Sequence, residues 1–284
     1  MLSYRHSFHA GNFADVLKHT VLMYVLNYMN RKDKPYCYID THAGAGMYRL
    51  DSPEANKTGE FMTGIGLLHD IPLQGLLADY TALIRVFNNN SNQLNNYPGS
   101  PAIAQHYLRD HDRAQLTELH SSDFKLLSDY IGRQRAIGVL QKDGLEHLIA
   151  TLPPREKRAL VLIDPSYEIK TDYAQVAKTL AAAVQRFSTG TYMIWYPVIK
   201  RADTESFISA LVKTGIPDML RLELCVKPDD LERGMTGSGM ILVNPPYSLK
   251  QEMEGLMPEL HQRLVKDAEH RAAPWQVTQL SAEK

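Results

Sequence analysis

One short stretch, Leu160-Val161-Leu162-Ile163-Asp164, constrains the fold of this chain more than any other. Four consecutive apolar residues are followed directly by a carboxylate. An apolar run of this length predicts a strand that is buried on both faces, as in a parallel sheet. In open α/β sheets, ligands bind at the carboxyl ends of such strands. The stretch therefore predicts an α/β fold with a ligand site beside Asp164.

Two more acidic residues follow predicted strands at a similar spacing. Glu118 ends one strand, and Asp143 follows the strand 137–140. Glu118, Asp143 and Asp164 are 25 and 21 residues apart, which is typical of successive βαβ units. Strand-end acids also cap helices, but three in series favour a nucleoside-binding cleft. There, Glu118 could accept hydrogen bonds from ribose hydroxyls, and Asp143 with Gly144 could bind an adenine amino group.

A glycine-containing turn follows the first predicted strand, residues 36–40. The sequence Thr41-His42-Ala43-Gly44-Ala45-Gly46 comes directly after that strand. Such a turn is the first nucleotide-binding element of a Rossmann-like sheet, because glycine lets the backbone approach a ligand closely. The dinucleotide pattern needs a third glycine where Arg49 stands. The shorter turn suits S-adenosylmethionine, which has no pyrophosphate.

The remaining pattern predicts one α/β domain with an insertion. Apolar residues at helical spacing predict a long helix from about Asn12 to Arg31, with His19 off its main apolar stripe. The domain is expected to comprise residues 1–49 and 97–284. Its later part alternates between strands and helices.

Residues 50–96 interrupt this alternation. Stretches at 61–68 and 76–87 have a helical pattern, and an Asn-rich loop follows them. A Rossmann unit should have a strand that carries an acidic residue about 20 positions after the glycine turn, but the next plausible strand with one is 114–119, with Glu118. We therefore predict that residues 50–96 form a helical insertion subdomain.

The residues that follow the central strand, Asp164-Pro165-Ser166-Tyr167, indicate a chemistry. Their order is close to the Asp/Asn/Ser-Pro-Pro-aromatic motif of methyltransferases that modify exocyclic amino groups, with Ser166 replacing the second proline. An aromatic amine is a poor nucleophile. The Asp164 carboxylate and the Pro165 carbonyl could each accept one of its N–H bonds and localise its lone pair. Tyr167 could stack on a flipped base. Taken alone, Asp164 could equally cap the next helix.

A second stretch, Asn244-Pro245-Pro246-Tyr247, matches the same motif more closely. It also follows an apolar strand, but only 37 residues remain after Tyr247. These are too few to form the strands that must flank a central catalytic strand. We therefore favour Asp164 and interpret residues 244–247 as a rigid turn after the last strand. The polar end is expected to fray beyond Asp267.

Composition excludes several classes of protein. With 44% hydrophobic and 22% charged residues, the chain is typical of a globular protein. It contains no apolar run of the roughly eighteen residues needed to cross a bilayer, and its first residues lack the apolar core of a signal peptide. Cys37 and Cys225 are far apart, and no spacing of His, Cys, Asp and Glu matches a metal site. We expect a cytoplasmic protein without disulfides, metal or membrane contacts.

The formal net charge of −1 bears on any nucleic-acid partner. Proteins that contact phosphates usually carry an excess of cations. Binding here would therefore need a local basic patch. Two sets of residues could provide one: Arg5, Lys18, Arg31, Lys32 and Lys34, or Lys200 and Arg201.

Together, these residues reveal a family resemblance. Over nearly its whole length the chain closely resembles the RlmJ family, bacterial 23S ribosomal RNA adenine-N6 methyltransferases. The resemblance is strongest in YRHSFHAGNFADVLKH (residues 4–19), DTHAGAG (40–46), GSG (237–239) and NPP (244–246). It implies a Rossmann-like methyltransferase fold with a small helical insertion that binds S-adenosylmethionine.

The resemblance also implies roles for individual residues. Asp164 matches the catalytic acid of the family, and Tyr4 matches a residue at the RNA substrate. The positions that match cofactor contacts are His19, His42, Ser100, Glu118, Asp143, Gly144 and Asp164. The sequence departs from the family at Ser166, where the pattern has proline. Because the carbonyl of Pro165 is retained, this change bears on the rate more than on the nature of the reaction.

The sequence therefore predicts an enzyme that methylates N6 of an unpaired adenine in protein-free 23S ribosomal RNA. One alternative is a DNA adenine methyltransferase, although no separate DNA-reading module is visible. A second is a non-catalytic protein of DNA utilisation or competence on a methyltransferase fold, which only Ser166 supports. The missing third glycine disfavours a nicotinamide-dependent oxidoreductase. The oligomeric state stays open, with a monomer as the simpler expectation.

Overall fold

The computed structural model describes residues 4–229, 234–265 and 274–282. The strands of its main sheet are β1 (Cys37–Asp40), β4 (Arg113–Thr117), β5 (Ile137–Leu140), β6 (Ala159–Ile163), β7 (Thr191–Val198), β8 (Met219–Cys225), β9 (Gly237–Val243) and β10 (Trp275–Gln279). Their order is β10-β8-β9-β7-β6-β1-β4-β5. A separate antiparallel pair joins β2 (Met47–Arg49) to β3 (Asn96–Pro98).

The sheet is mostly parallel. Strands β7, β6, β1, β4 and β5 are neighbours that run in the same direction. Strand β9 is antiparallel to both β7 and β8, and β10 is antiparallel to β8. Strand β6 is buried along its whole length, as its apolar run predicts. Its position inside the sheet confirms the predicted α/β class with Asp164 after a central strand.

The helices cover both faces of the sheet. Those described are α1 (Phe13–Asn30), α2 (Pro53–Thr58), α3 (Gly75–Val86), α4 (Ser100–Tyr107), α5 (Ser121–Ile131), α6 (Gly144–Thr151), α7 (Thr171–Arg186), α8 (Arg201–Lys213) and α9 (Leu249–Leu264). One apolar core joins the sheet to α1, α4, α5 and α9, and the other joins it to α6, α7 and α8. No helix in the described ranges is long and apolar enough to cross a membrane.

Helix α1 lies inside the protein. It begins at Phe13 because the side chain of Asn12 accepts a hydrogen bond from the backbone N–H of Asp15, at 3.0 Å. Fourteen of its 18 residues are buried. Since the helix is covered on nearly all sides, the polar residues Asp15, Lys18 and His19 are buried with the apolar ones.

The inserted residues form short helices above the N-terminal loop. The stretch 61–68, predicted to be helical, consists of two 3-10 turns, Glu60–Thr63 and Ile65–Leu67, which meet at Gly64. There the backbone N–H of Ile65 donates to the carbonyl of Gly11 at 2.8 Å. A Cβ on Gly64 would lie 2.1 Å from that carbonyl oxygen. Close contact with the N-terminal loop therefore breaks the helix. The boundaries 50–96 stay a prediction.

The C-terminal segment differs from the sequence prediction. Asp267 lies outside the described residues, but the expected fraying is wrong for residues 275–279, which form β10. The hydrophobic pattern of residues 275–279 did not predict a strand, because Val277 is the residue of β10 that packs against the core. The strand is formed instead by backbone pairing along the edge of β8.

Candidate active site

Four carboxylates lie at the carboxyl-terminal edge of the parallel strands. Asp143, Glu118 and Asp164 follow β5, β4 and β6, and Asp40 is the last residue of β1. These strands are neighbours in the order β5, β4, β1, β6. Because adjacent strands are about 4.8 Å apart, the row spans roughly 14 Å. The βαβ spacing thus brings the three predicted acids to one edge, with Asp40 between them. In the described part of the chain, no group of three or more His, Cys, Asp or Glu could hold a metal ion.

Asp164 belongs to a buried ion network with two residues of α1. The Nζ atom of Lys18 lies 2.6 Å from Oδ2 of Asp164 and 2.9 Å from Oδ1 of Asp15. The side chains of Lys18 and Asp15 are only 6% and 1% exposed. Burial alone would lower the pKa of Lys18, but the two carboxylates outweigh it and raise this pKa. Burial raises the pKa of Asp164, and the charge of Lys18 limits the rise.

The N-terminal residues extend this network. Nε2 of His6 lies 2.8 Å from Oδ2 of Asp15, and Nδ1 of His6 lies 2.8 Å from the hydroxyl of Tyr4. The Tyr4 ring stacks on His9, with ring centroids 5.4 Å apart. Burial raises the pKa of Tyr4, and the charge of Asp164 raises it further. The structure therefore connects Tyr4, the predicted substrate residue, to the surroundings of Asp164.

The loop after β6 contains the rest of the predicted motif. Tyr167 has a φ of +52°, in the left-handed region, so the chain turns sharply there. Its buried ring packs against Tyr173 with centroids 4.5 Å apart, and its hydroxyl donates to the carbonyl of Trp195 at 2.7 Å. Pro165 is buried and Ser166 is half-buried. These contacts favour Tyr167 as a support of the loop, whereas its stacking on a base stays a prediction.

Trp195 is an aromatic residue near Asp164 that was not predicted from the sequence. Its half-buried ring has its centroid 5.8 Å from Nζ of Lys18. Its indole N–H donates to Oγ of Ser238 at 2.8 Å. Trp195 lies in a mostly apolar strand, and nothing in the sequence distinguishes it from its neighbours. Only the parallel pairing of β7 with β6 brings it towards the network.

The glycine turn after β1 is tied to Glu118. Gly44 and Gly46 have φ values of +62° and +82°, which favour glycine. The backbone N–H groups of Gly44 and His120 donate to the two carboxylate oxygens of Glu118, at 2.8 and 2.7 Å. Burial raises the pKa of Glu118. Nδ1 of His120 is buried without a hydrogen-bond partner among the described residues. A polar ligand at this turn could satisfy it.

The two histidines expected to contact the cofactor have lowered pKa values. Nδ1 of His42 lies 2.8 Å from Oγ1 of Thr41, and burial lowers the pKa of His42 to about 4. His19 is 1% exposed, its Nδ1 lies 2.8 Å from the hydroxyl of Tyr97, and burial lowers its pKa to about 3. Both imidazoles are therefore neutral near pH 7. They are suited to hydrogen bonding rather than to binding through charge.

Asp40 links another predicted residue to the row of carboxylates. The hydroxyl groups of Tyr38 and Ser100 both donate to Oδ2 of Asp40 at 2.7 Å. The backbone N–H of His42 donates to Oδ1 at 3.2 Å. Burial raises the pKa of Asp40 to about 6 in spite of these donors. Ser100, expected to contact the cofactor, thus holds a carboxyl group at the centre of the row.

Asp143 and Gly144 connect β5 to α6. The carboxylate of Asp143 caps this helix by accepting a hydrogen bond from the backbone N–H of Glu146 at 3.0 Å. Gly144 packs closely on the loop after β1, where an added Cβ would lie 1.8 Å from the carbonyl oxygen of Thr41. Asp143 therefore has the capping role that was the alternative at the sequence level. The cap engages one of its two carboxylate oxygens.

The second motif, residues 244–247, lies at the edge of the sheet where the parallel strands begin, opposite the row of carboxylates. Because β9 is antiparallel to β7, the residues after β9 lie beside the start of β7. The side-chain amide of Asn244 donates to the carbonyls of Ser188 and Gly190, at 2.9 and 2.7 Å. Tyr247 is 82% exposed. Residues 244–247 thus form a turn far from the row of carboxylates, although β10 still follows them.

Comparison with known proteins identifies the family. The family model described as ribosomal RNA large subunit methyltransferase D, RlmJ, matches residues 33–277. The chain belongs to the RlmJ family. It is 49% identical over 268 residues to ribosomal RNA large subunit methyltransferase J of Escherichia coli K12, covering 93% of this chain and 95% of that protein. It is 48% identical over 266 residues to the protein of the same name from Haemophilus influenzae, with the same coverage.

A solved structure supports the fold of this RlmJ chain. The crystal structure of a Legionella pneumophila protein matches it with a TM-score of 0.85 and 35% sequence identity. The match covers 95% of this chain and 98% of that one. The sheet and the helices on its two faces therefore have a counterpart in a protein of known structure, and the predicted Rossmann-like fold is confirmed.

The raised pKa of Asp40 predicts a pH-dependent stability of the RlmJ chain. The pKa of Asp40 is about 6 in the folded protein and 3.8 in the unfolded chain. Asp40 therefore makes its full contribution to the free energy of unfolding below pH 3.8, where the carboxyl group is protonated in both states. That contribution, on the order of 3 kcal/mol, is lost as the pH rises through the folded pKa. We expect Asp40→Asn to gain stability relative to the wild type between about pH 4 and pH 7, as measured by urea unfolding. A constant difference over this range would contradict the pKa.

The contact of Gly144 with Thr41 predicts a loss of stability on adding one methyl group. We expect Gly144→Ala to lower the free energy of unfolding by about 1–3 kcal/mol, because the backbone must move to admit the side chain. Gly255→Ala in α9 is the control, since a Cβ there meets nothing within 4 Å. Alanine in the helix interior should instead stabilise by about 0.5–1 kcal/mol. Equal urea midpoints for both variants would refute this close contact.

Proposed function

We propose that this RlmJ family member transfers a methyl group from S-adenosylmethionine to N6 of an adenine in 23S ribosomal RNA. Family membership makes it a ribosomal RNA methyltransferase, and its relatives are named for the large subunit. The observation that carries the finer proposal is Asp164, held by buried Lys18 at the carboxyl end of β6 and followed by Pro165. We further propose protein-free RNA as the substrate and the cytoplasm as the place of reaction.

The row of carboxylates fits the proposed cofactor. When bound, S-adenosylmethionine supplies a methyl group on a positively charged sulfur. Glu118 would accept hydrogen bonds from the ribose hydroxyls, and Asp143 one from the adenine amino group. The unpaired buried nitrogen of His120 offers a further hydrogen bond to a polar ligand at this edge. Asp40 and Asp164 add negative charge that suits a cationic molecule.

The ion network positions Asp164 for the target amine. Because Lys18 donates to Oδ2 of Asp164 at 2.6 Å, Oδ1 is the oxygen that would accept one N–H of the adenine amino group. The backbone carbonyl of Pro165 would accept the other. Two acceptors localise the nitrogen lone pair and aim it at the methyl group, so that positioning supplies much of the rate.

The charge of the network suits the products of the reaction. Asp15, Lys18 and Asp164 together have one excess negative charge, which stabilises the positive charge that the nitrogen gains on methylation. The nitrogen then loses a proton. Asp164 can accept it, since burial raises the pKa of this carboxyl group.

Methyl transfer to RNA tests the proposal. The assay uses labelled S-adenosylmethionine and protein-free 23S ribosomal RNA from a strain that lacks this gene. We expect the label to be recovered as N6-methyladenine after digestion to nucleosides. Duplex DNA and 16S ribosomal RNA serve as competing substrates. Preferential labelling of DNA would overturn the proposed substrate, and label on another atom would overturn the proposed position.

A further inference from the structure

Cationic residues are concentrated at the amino-terminal edge of the parallel strands. The loops that lead into β1, β4, β5 and β6 lie at this edge because these four strands are parallel neighbours. Together the loops contain ten Lys and Arg residues and four Asp and Glu residues, whereas the whole chain has a net charge of −1. We call this surface the basic edge; it consists of residues 31–36, 109–113, 132–136 and 153–158.

Two arginines of the basic edge hold its loops in place. Arg109 donates to the carbonyls of Lys32 and Lys34 at 2.8 and 3.0 Å, and Arg158 donates to those of Lys34 and Met29 at 3.0 and 2.8 Å. Their guanidinium carbons lie 5.7 and 5.8 Å from the ring centroid of buried Tyr36. The loop 31–36 is therefore built on a fixed support.

The other cations of the basic edge are available to a partner. Seven of them are exposed and have no carboxylate within 4.0 Å in the described part of the chain. They are Arg31, Lys32, Lys34, Arg133, Arg135, Arg155 and Lys157. A groove of about 540 Å³ runs between the four loops, lined by Arg113, Arg135 and Arg155 and by the acidic residues Asp110, Asp112 and Glu156. Unpaired cations around a groove are typical of a surface that binds phosphates.

The carboxyl-terminal edge of the parallel strands, where the active site lies, is acidic rather than basic. Its row of carboxylates would repel the phosphates of a long RNA, so the RNA needs cationic contacts elsewhere. The four-residue edge strand β5 connects the two edges, which are roughly 13 Å apart at 3.3 Å per residue. Residues 133–142, which include this strand, contain Arg133, Arg135 and Lys142 and no acidic residue. A structured RNA could follow this side of the sheet from the basic edge to the active site.

We propose that the basic edge binds the phosphate backbone of the ribosomal RNA substrate, away from the methylated adenine. This inference rests on the proposed function and adds a second contact surface to it. It resolves the conflict between a nucleic-acid substrate and a near-neutral chain. Of the basic patches expected from the sequence, Arg31, Lys32 and Lys34 belong to this surface. Lys18 is instead buried in the active site, and Arg201 is ion-paired to Glu223 and Asp229.

The test removes three charges from different loops of the basic edge. The variant Lys34→Gln, Arg135→Gln, Arg155→Gln is compared with Lys178→Gln, Lys213→Gln, Lys250→Gln. The control has the same net charge, but its exposed lysines lie on α7, α8 and α9. Binding of protein-free 23S ribosomal RNA is measured over a range of salt concentrations. Melting temperature and binding of S-adenosylmethionine verify that each variant is folded.

We expect the basic-edge variant to bind the RNA about tenfold more weakly, with the slope of log Kd against log salt reduced by about 2–3. The control should keep the wild-type slope, and kcat at saturating RNA should be unchanged in both. Equal slopes in the two variants would overturn the inference and assign the cations to another partner or to solubility. A wild-type protein that binds the RNA but never methylates it would contradict the proposed function alone.

Discussion

Methyl transfer to 23S ribosomal RNA is expected to fall by about 10²–10³-fold when Asp164 is replaced by alanine. The substitution removes one of the two acceptors that we propose hold the adenine amino group, and the Pro165 carbonyl alone cannot fix its orientation. The fold should persist, since Lys18 keeps Asp15 as an ion-pair partner at 2.9 Å. The decisive measurement is kcat at saturating cofactor and RNA.

Two further variants sharpen this prediction. Asp164→Asn retains one acceptor oxygen but removes the negative charge, so its activity should lie between those of the wild type and the alanine variant. Asp203→Ala is the control, because this side chain is 44% exposed on α8. It should leave kcat unchanged. If Asp164→Ala kept more than about a tenth of the wild-type activity, Asp164 would not be the acceptor that the mechanism requires.

Replacing Lys18 with methionine should have the largest effect on stability. The variant leaves the carboxylates of Asp15 and Asp164 buried without their shared cation, which costs about 3–5 kcal/mol. The cost should shrink as the pH falls, because the pKa of Asp164 rises further without Lys18 and its protonation removes one of the two charges. For the same reason, the acid limb of the kcat profile should move to higher pH. Urea unfolding and initial rates over a pH series measure the two effects.

Matched variants separate positioning from general loss of structure. Lys178→Met on α7 removes an exposed charge and should change neither property. Combining Lys18→Met with Asp15→Asn removes one of the two uncompensated charges and should restore part of the stability. A Lys18→Met protein with lower stability but an unshifted pH profile would show that Lys18 supports the fold without acting on Asp164.

The main sheet could be predicted because its signals are local. The apolar run before Asp164 and the spacing of Glu118, Asp143 and Asp164 depend only on strand burial and on the length of a βαβ unit. Features that depend on contact with another segment could not be predicted. Strand β10 forms by pairing with β8, and the helix expected at 61–68 breaks at Gly64 because of the Gly11 carbonyl.

The site was predictable to a similar extent. The strand-end acids and the glycine turn could be located, because the carboxyl edge of a parallel sheet is fixed by topology. The partner of Asp164 could not, since Lys18 is 146 residues away in the sequence. A lysine on a helix usually reaches solvent, and only the burial of α1 by its neighbours turns Lys18 inward. The buried ring of Tyr167 depends likewise on packing against α7 and α8.

The residues of helix α1 determine both the stability of the fold and the rate of the reaction. Selection on these residues therefore acts on both properties at once. The apolar side chains of α1 fill the space over the sheet, while Asp15 and Lys18 hold the acid of β6. Deleting one residue within α1 would rotate the rest of the helix by about 100° and disturb both at once. Divergence towards other RNA sequences is therefore least constrained in the inserted helices and in the exposed loops. Those segments can change without altering the residues that position Asp164.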